Sequence, residues 1–239
     1  MDLKNIIWNE EDYQEFINYL ISLEDIEYKK FHFKLLGTEK NLIGIRTPKL
    51  KEIAKEISKG NWKDFIKCSQ NNYYEEEVIK GLTLGFIKCN FETRRYYLNN
   101  FINEIDNWAI CDITVGNLKF LKKEKDIYYN FIKECVLSNE KWRIRFGLVI
   151  LLSYYLEEKY INEIFSLCSS ITNKEYYVKM AQAWLISIIF IKFRDKTMEY
   201  LKNNGLDSWI QNKAIQKIRE STRVSKEKKD LVLKFKRGV

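Results

Sequence analysis

Four residues of this chain have the types and the spacing to do chemistry on one shared surface. Trp108 and Asp112 stand four residues apart, so an indole and a carboxylate share one face if the segment is helical. Arg145 follows Trp108 by 37 residues, and Trp184 follows Arg145 by 39. Such intervals are typical of helical-pair repeats, whose equivalent positions line one surface. The surface could hold a cationic sugar or base, because indoles can contact the sugar and a carboxylate offsets positive charge.

The same spacing also has a purely structural explanation. Trp108, Trp142 and Trp184 could fill the core of a helical stack. Asp112 and Arg145 could form a salt bridge between neighbouring repeats. Spacing alone favours this structural explanation over a ligand site.

The elements that must position these residues are predicted to be helices. One Pro and nine Gly in 239 residues leave little to end strands and hairpins. Apolar residues recur at spacings of three and four, as in Val78, Leu82 and Phe86. Pro48 is expected just inside a helix start, with Thr47 as the N-cap. The sequence therefore predicts an all-α fold.

A small residue opens similar four-residue segments along the chain, at intervals of 35, 31, 34 and 33 residues. The segments begin at Gly81, Gly116, Gly147, Ala181 and Ala214. Because Gly inside a helix costs about 1 kcal/mol relative to Ala, its recurrence predicts close helix crossings. We expect one domain over residues 1–239, a stack of degenerate helical pairs that curves around a concave surface.

The charge of the chain favours an anionic partner. Lys and Arg number 41 against 33 acids, for a net charge of +8 and a pI near 9.0. Residues 1–28 carry a net charge of −7 and residues 212–239 a net charge of +7, so the basic end could follow a phosphate backbone. Charge alone fits an ordinary lysine-rich protein equally well.

Other residue types exclude several classes of site. The five Cys are scattered and never form a Cys-x-x-Cys pair, so we expect neither a disulfide framework nor a zinc site, and no metal or other cofactor. His32, the single His, is expected to be a packing residue. The chain shows no secretory signal and no apolar run of about 18 to 20 residues, so a cytoplasmic protein is expected.

Four motifs in order carry a resemblance to a known family. They are Gly44-Ile45-Arg46-Thr47-Pro48, Trp108-x3-Asp112, Trp142-x2-Arg145 and Lys174-Glu175-Tyr176-Tyr177-x6-Trp184. Over about residues 10 to 225 the chain resembles the AlkD-like DNA glycosylases, bacterial DNA alkylation repair enzymes built from HEAT-like repeats. The resemblance implies a right-handed superhelical stack of antiparallel helical pairs with a concave basic face that binds duplex DNA. It also implies excision of positively charged N3- and N7-alkylated purines by hydrolysis of the N-glycosidic bond, in base excision repair.

The resemblance assigns roles to residues of this chain. Asp112 matches the catalytic carboxylate, which stabilises an oxocarbenium-like sugar and positions the attacking water. Trp108 and Trp184 match indoles that contact the deoxyribose, and Arg145 matches the arginine that holds the backbone near the lesion. The damaged base stays in the stack, so no deep base pocket is needed. A monomer that acts on duplex DNA is expected.

Three positions in and beside these motifs depart from the family pattern. Asn107 and Ala109 replace a Trp and an Asp of better-studied members, and Arg46 stands where a minor-groove glutamine is expected. The DNA-binding candidates are Thr47 of the first motif and nine basic residues. These are Arg46, Lys49, Lys51, Arg143, Lys179, Lys213, Lys217, Arg219 and Arg223. Each single lysine could equally be an ordinary solvated residue.

Two other functions remain open at this stage. The chain could be a non-catalytic module of the same fold that binds duplex or branched DNA. It could also be a helical-repeat scaffold for another protein.

Overall fold

A computed structural model describes residues 1–37 and 40–238, which form fourteen α-helices and one 3-10 helix. The helices are α1 (Glu10–Ile21), α2 (Ile26–Leu36), α3 (Thr47–Ile57), α4 (Trp62–Cys68), α5 (Tyr74–Phe86), α6 (Phe91–Glu104), α7 (Trp108–Asn117), α8 (Leu121–Val136), α9 (Lys141–Tyr154), α10 (Glu158–Ser170), α11 (Tyr176–Lys192), α12 (Arg194–Lys202), α13 (Ser208–Glu220) and α14 (Lys226–Leu231), followed by the 3-10 helix Val232–Phe235. Within the described ranges there is no β-strand, only an isolated bridge between Asn41 and Tyr73. The prediction of an all-α fold is confirmed.

Short polar side chains begin many of these helices. Asn9, Asp25, Asn90, Asn107 and Asp207 are N-caps whose side-chain oxygens accept backbone N–H groups of the first turn. The prediction for Thr47 is wrong by one residue, because Arg46 is the N-cap and Thr47 is already helical. Pro is tolerated throughout the first turn, where its missing N–H has no intrahelical partner, so Pro48 fixed the boundary only to within a residue.

The chain divides into two compact units, residues 1–120 and 121–239. In the first unit α5 packs against both α3 and α7, and in the second α11 packs against both α9 and α13. Packing of every second helix is the arrangement expected of helical pairs. The single domain, the right-handed superhelix and the concave basic face stay predictions.

Two of the recurring glycines lie where helices approach closely. A Cβ on Gly81 would stand 2.7 Å from Phe101 Cζ of α6, and a Cβ on Gly147 would stand 2.7 Å from Val136 Cγ2 of α8. For Gly116 the prediction of a close crossing is wrong. Apart from the backbone of α7 itself, no heavy atom of the described residues lies within 4 Å of the Cβ position there, because this glycine lies on an exposed face of α7.

His32 is a packing residue, as its sequence context predicts. His32 packs between the rings of Tyr28 and Tyr74, at centroid distances of 4.9 and 5.4 Å, and burial lowers the pKa of its imidazole. The cysteines of the described chain are free thiols, buried or half-buried. None of the described helices has the length and apolar character needed to cross a membrane.

Candidate functional site

The open face of α7 presents an indole and a carboxylate. Trp108 is the first residue of α7, Asp112 lies one turn later, and both side chains are half-buried. Gly116 follows after one more turn and is exposed. We call these three residues the α7 stripe. Gly116 has no side chain, and no neighbouring element covers its Cβ position, so this end of the face is uncovered.

The two positions that depart from the family pattern do not belong to the α7 stripe. Asn107 is the buried N-cap of α7: its Oδ1 accepts the N–H of Ala109 at 2.7 Å, and its Nδ2 donates to Leu36 O at 3.2 Å. Ala109 is also buried. Asn107 therefore ties the start of α7 to the end of α2, and Trp108 follows directly after that anchor.

A buried carboxylate holds the segment that leads into α3. Glu75, on the first turn of α5, is fully buried and accepts three successive backbone N–H groups. Its Oε2 lies 2.9 Å from the N of Ile43, and its Oε1 lies 2.7 and 3.2 Å from the N of Gly44 and Ile45. Burial raises the pKa of Glu75, and these backbone donors oppose that rise. Sequence reasoning missed this residue.

Gly44 makes the tight path of this segment possible. Its φ of +99° lies in a region that L side chains rarely adopt. A Cβ there would also stand 2.6 Å from Lys29 Cβ and 2.9 Å from Asp25 O. Glycine is therefore required at this position of the first motif.

Of the basic candidates at the start of α3, Arg46 and Lys51 are exposed and Lys49 is half-buried, and acids of the same unit hold two of them. Arg46 contacts Asp25 Oδ2 through Nη2 at 2.9 Å and Nε at 3.0 Å, and its guanidinium lies 5.0 Å from the ring centroid of Tyr28. The backbone N–H of Tyr28, and then Arg46, lower the pKa of Asp25. Lys49 pairs with Glu52 at 3.1 Å.

Thr47 and Lys51 are the other two candidates at the start of α3. Thr47 is half-buried and Lys51 is exposed. Both lie on α3, within five residues of Arg46, so the structure brings the four first-unit candidates together on one short segment.

In the second unit, Arg145 is fixed on the face where α9 meets α11. Its side chain is 6% exposed, and its Nη1 donates to Tyr177 O at 3.0 Å. The guanidinium also lies 5.8 Å from the Tyr177 ring centroid. Arg143, two residues earlier, is half-buried. A guanidinium held in this way keeps its orientation before any ligand arrives.

Trp184 and Lys217 line one groove of about 260 Å3 between α11 and α13, together with Glu220 and Arg223. Burial lowers the pKa of Lys217, as do the nearby charges of Lys213 and Arg145, while Glu220 opposes the shift. An anion bound beside Lys217 would relieve this repulsion. The three indoles considered as core, Trp108, Trp142 and Trp184, are only half-buried, so they do not fill the core.

The other second-unit candidates surround Trp209, which sequence reasoning did not single out. Lys179 and Lys213 place their ammonium groups 4.6 and 5.6 Å from its ring centroid. Lys179 also pairs with Asp207 at 3.5 Å. Arg219 lines the same groove as Trp209 and Lys213, about 620 Å3 in volume. A repeated pattern could have pointed to Trp209, since Trp142, Tyr177 and Trp209 each occupy the second position of a helix.

A run of buried acids on α5 was also missed. Glu76 closes a capping box with the N–H of Tyr73 at 2.7 Å, and Glu77 pairs with Lys40. Burial raises the pKa of Glu77 to about 7, against the opposing effect of Lys40. Consecutive glutamates at a helix start are usually solvated, so nothing in the residue pattern predicts this burial.

The chain was also compared with known protein families and with curated proteins. A family model described as "DNA alkylation repair enzyme" matches residues 13–218. A comparison with curated proteins finds no match. The resemblance drawn from the four motifs is confirmed. Because the family match spans most of the 239 residues, the chain belongs to the DNA alkylation repair enzyme family.

Proposed function

We propose that the protein is a DNA glycosylase that hydrolyses the N-glycosidic bond of N3- and N7-alkylated purines in duplex DNA without flipping the base. The observation that carries this proposal is the α7 stripe, on which Trp108 and Asp112 share the one open face of an otherwise largely buried helix. An open stripe suits a lesion that stays stacked, because the sugar rather than the base must reach the carboxylate.

The chemistry needs little more than electrostatic help. An alkylated purine carries a positive charge, so the bond from C1′ to nitrogen breaks with both electrons passing to the departing base. Positive charge then develops on the sugar, where the Asp112 carboxylate stabilises it. Water attacks C1′ and gives a proton to the carboxylate, leaving an abasic site and the free base.

The remaining candidates hold the DNA in this proposal. Trp108 and Trp184 contact the deoxyribose, and Arg145 binds a backbone phosphate near the lesion. Burial, and to a smaller extent the charges of Lys213 and Arg145, lower the pKa of Lys217, and a phosphate bound there would offset these positive charges. Arg46 at the start of α3 is proposed to contact the minor groove.

A non-catalytic module that binds duplex or branched DNA is the second candidate. It is favoured by Ala109, which leaves α7 with the single carboxylate of Asp112 instead of two. The two candidates share the DNA-binding surface and differ only in bond cleavage.

The test is release of methylated bases from N-methylpurine DNA by the protein and by Asp112→Asn. Loss of release at unchanged DNA affinity supports the glycosylase. Glu92→Gln, an exposed carboxylate on α6, is the matched control and should release bases at the rate of the unaltered protein. No release by folded, DNA-binding protein would overturn the glycosylase and favour the binding module.

A further inference from the structure

Aromatic rings form a continuous row at the starts of three packed helices in the second unit. Trp142 of α9 lies 5.0 Å from Tyr177 of α11, Tyr177 lies 5.3 Å from Tyr176, and Tyr176 lies 6.1 Å from Trp209 of α13, all between ring centroids. We call these four residues the aromatic row. Its rings are tilted or edge-on to one another, so they do not close into a single stack.

Cationic groups accompany the aromatic row along its length. Lys141 Nζ lies 5.4 Å from the Trp142 centroid, and Arg145 lies 5.8 Å from that of Tyr177. Lys179 and Lys213 both lie over Trp209, as described above. Attraction between each cation and its ring holds the charges beside the ring faces.

The aromatic row is accessible from solvent. Tyr176 is 58% exposed, and Trp142, Tyr177 and Trp209 are half-buried. The groove of about 620 Å3 begins at Trp209 and continues past Lys213 and Arg219. Exposed rings with adjacent cations form the combination that binds bases by their faces and phosphates by their charge.

Acidic residues next to the row belong to the helix starts. Glu140, Glu175 and Asp207 are the N-caps of α9, α11 and α13. Their charges offset the positive ends of the helices, so the helix ends themselves attract no phosphate. Attraction of a polyanion therefore depends on the lysine and arginine side chains that lie beside the aromatic row.

The spacing of the rings distinguishes between paired and unpaired nucleotides. Bases stacked in a duplex rise by about 3.4 Å, and their faces are covered by neighbouring bases. Rings 5.0 to 6.1 Å apart cannot each meet a base of such a stack. A strand whose bases are unstacked can place its bases against successive rings.

We propose that the aromatic row binds unpaired nucleotides of a DNA strand, with bases stacked on Tyr176 and Trp209 and phosphates on Lys179 and Lys213. The inference rests on the proposed function for its ligand, DNA, and adds a preference for single-stranded segments. It does not depend on cleavage of the glycosidic bond.

The test compares the binding of labelled oligothymidylate and of labelled duplex DNA at one salt concentration. Tyr176→Ala and Trp209→Ala should each weaken oligothymidylate binding by about 5- to 150-fold, the range for loss of one stacked base. Their duplex affinity should change by less than about threefold. Tyr176→Phe and Trp209→Phe keep a ring face and should bind oligothymidylate nearly as tightly as the unaltered protein.

Tyr96→Ala is the matched control, because this tyrosine on α6 is 62% exposed and lies outside the row. It should bind oligothymidylate unchanged. Equal losses for duplex and single strand in Tyr176→Ala, or no loss in either alanine variant, would overturn the proposal. Binding of polyglutamate as tight as that of oligothymidylate would also overturn it, since charge alone would then explain the affinity.

Base release from methylated duplex by the same variants separates this inference from the proposed function. Release by Tyr176→Ala at the normal rate, with weakened oligothymidylate binding, supports the inference together with the glycosylase. A protein that releases no bases but loses oligothymidylate binding in both alanine variants supports the inference while the glycosylase fails.

Discussion

Replacing the Glu75 carboxylate by an amide should weaken both the fold and the segment before α3, which is proposed to bind DNA. In Glu75→Gln only one side-chain oxygen remains to accept hydrogen bonds from Ile43, Gly44 and Ile45. The new NH2 group then faces a backbone N–H, most simply that of Ile43, which loses its acceptor while buried. Because the site is closed to water, no solvent molecule replaces the lost bond.

The expected cost follows from the three observed hydrogen bonds. Leaving one buried N–H unsatisfied costs about 1 to 3 kcal/mol, and changing two charge-assisted bonds into neutral ones costs about 1 kcal/mol each. Relief of the desolvation that raises the Glu75 pKa offsets part of this sum. We therefore expect the free energy of unfolding to fall by about 2 to 4 kcal/mol.

The measurements are urea denaturation and the affinity for duplex DNA at a temperature where the variant is folded. Glu92→Gln, the exposed control on α6, should change the free energy of unfolding by less than about 0.5 kcal/mol. If Glu75 acts on DNA through Arg46, Glu75→Gln should lower the affinity no further in an Arg46→Ala background. Unchanged stability, or fully additive losses of affinity, would refute this reasoning.

Three further predictions concern other buried or crowded groups. The pKa of Glu77 is about 7 in the folded protein against 4.5 when unfolded, so the folded state holds the Glu77 proton more tightly. The free energy of unfolding should therefore fall by up to about 3 kcal/mol as pH rises from 4.5 to 7. Glu77→Gln should remove this pH dependence in urea titrations. Asn107→Ala should cost about 0.5 to 2 kcal/mol of unfolding free energy by urea denaturation, whereas Asn61→Ala, at an N-cap without a side-chain cap bond, should cost less. Lys217→Gln should reduce the salt dependence of DNA affinity by about one unit in a log–log plot, and a slope equal to that of the exposed control Lys34→Gln would contradict phosphate binding.

The helices were predictable because their causes are local. Apolar spacing and short polar caps act within a few residues, and the glycines at Gly81 and Gly147 fall where helices cross. Gly116 fits the same sequence pattern but lies on an open face. The sequence pattern shows only that a side chain is missing at each of these glycines. It does not show whether another helix occupies the space beside the glycine.

The buried acids of α5 were not predictable because their causes are distant in sequence. Glu75 binds backbone N–H groups about 30 residues earlier in the chain, and Glu77 pairs with Lys40. The aromatic row is an intermediate case. Its members repeat visibly, but recognising them requires helix starts known to a single residue, and the error of one residue at Thr47 shows the limit of cap signals.

The departures at Asn107 and Ala109 change how the α7 stripe is supported rather than what it presents. An amide at the N-cap satisfies the N–H of Ala109 and also ties α7 to Leu36, which an indole at that position could not do through two hydrogen bonds. A carboxylate at position 109 would lie in a buried site and would need a partner of its own. The glycosylase proposal therefore rests, on this helix, on the carboxylate of Asp112 alone. It follows that Asp112→Asn should abolish base release completely, because no second carboxylate of α7 remains to stabilise the charge on the sugar.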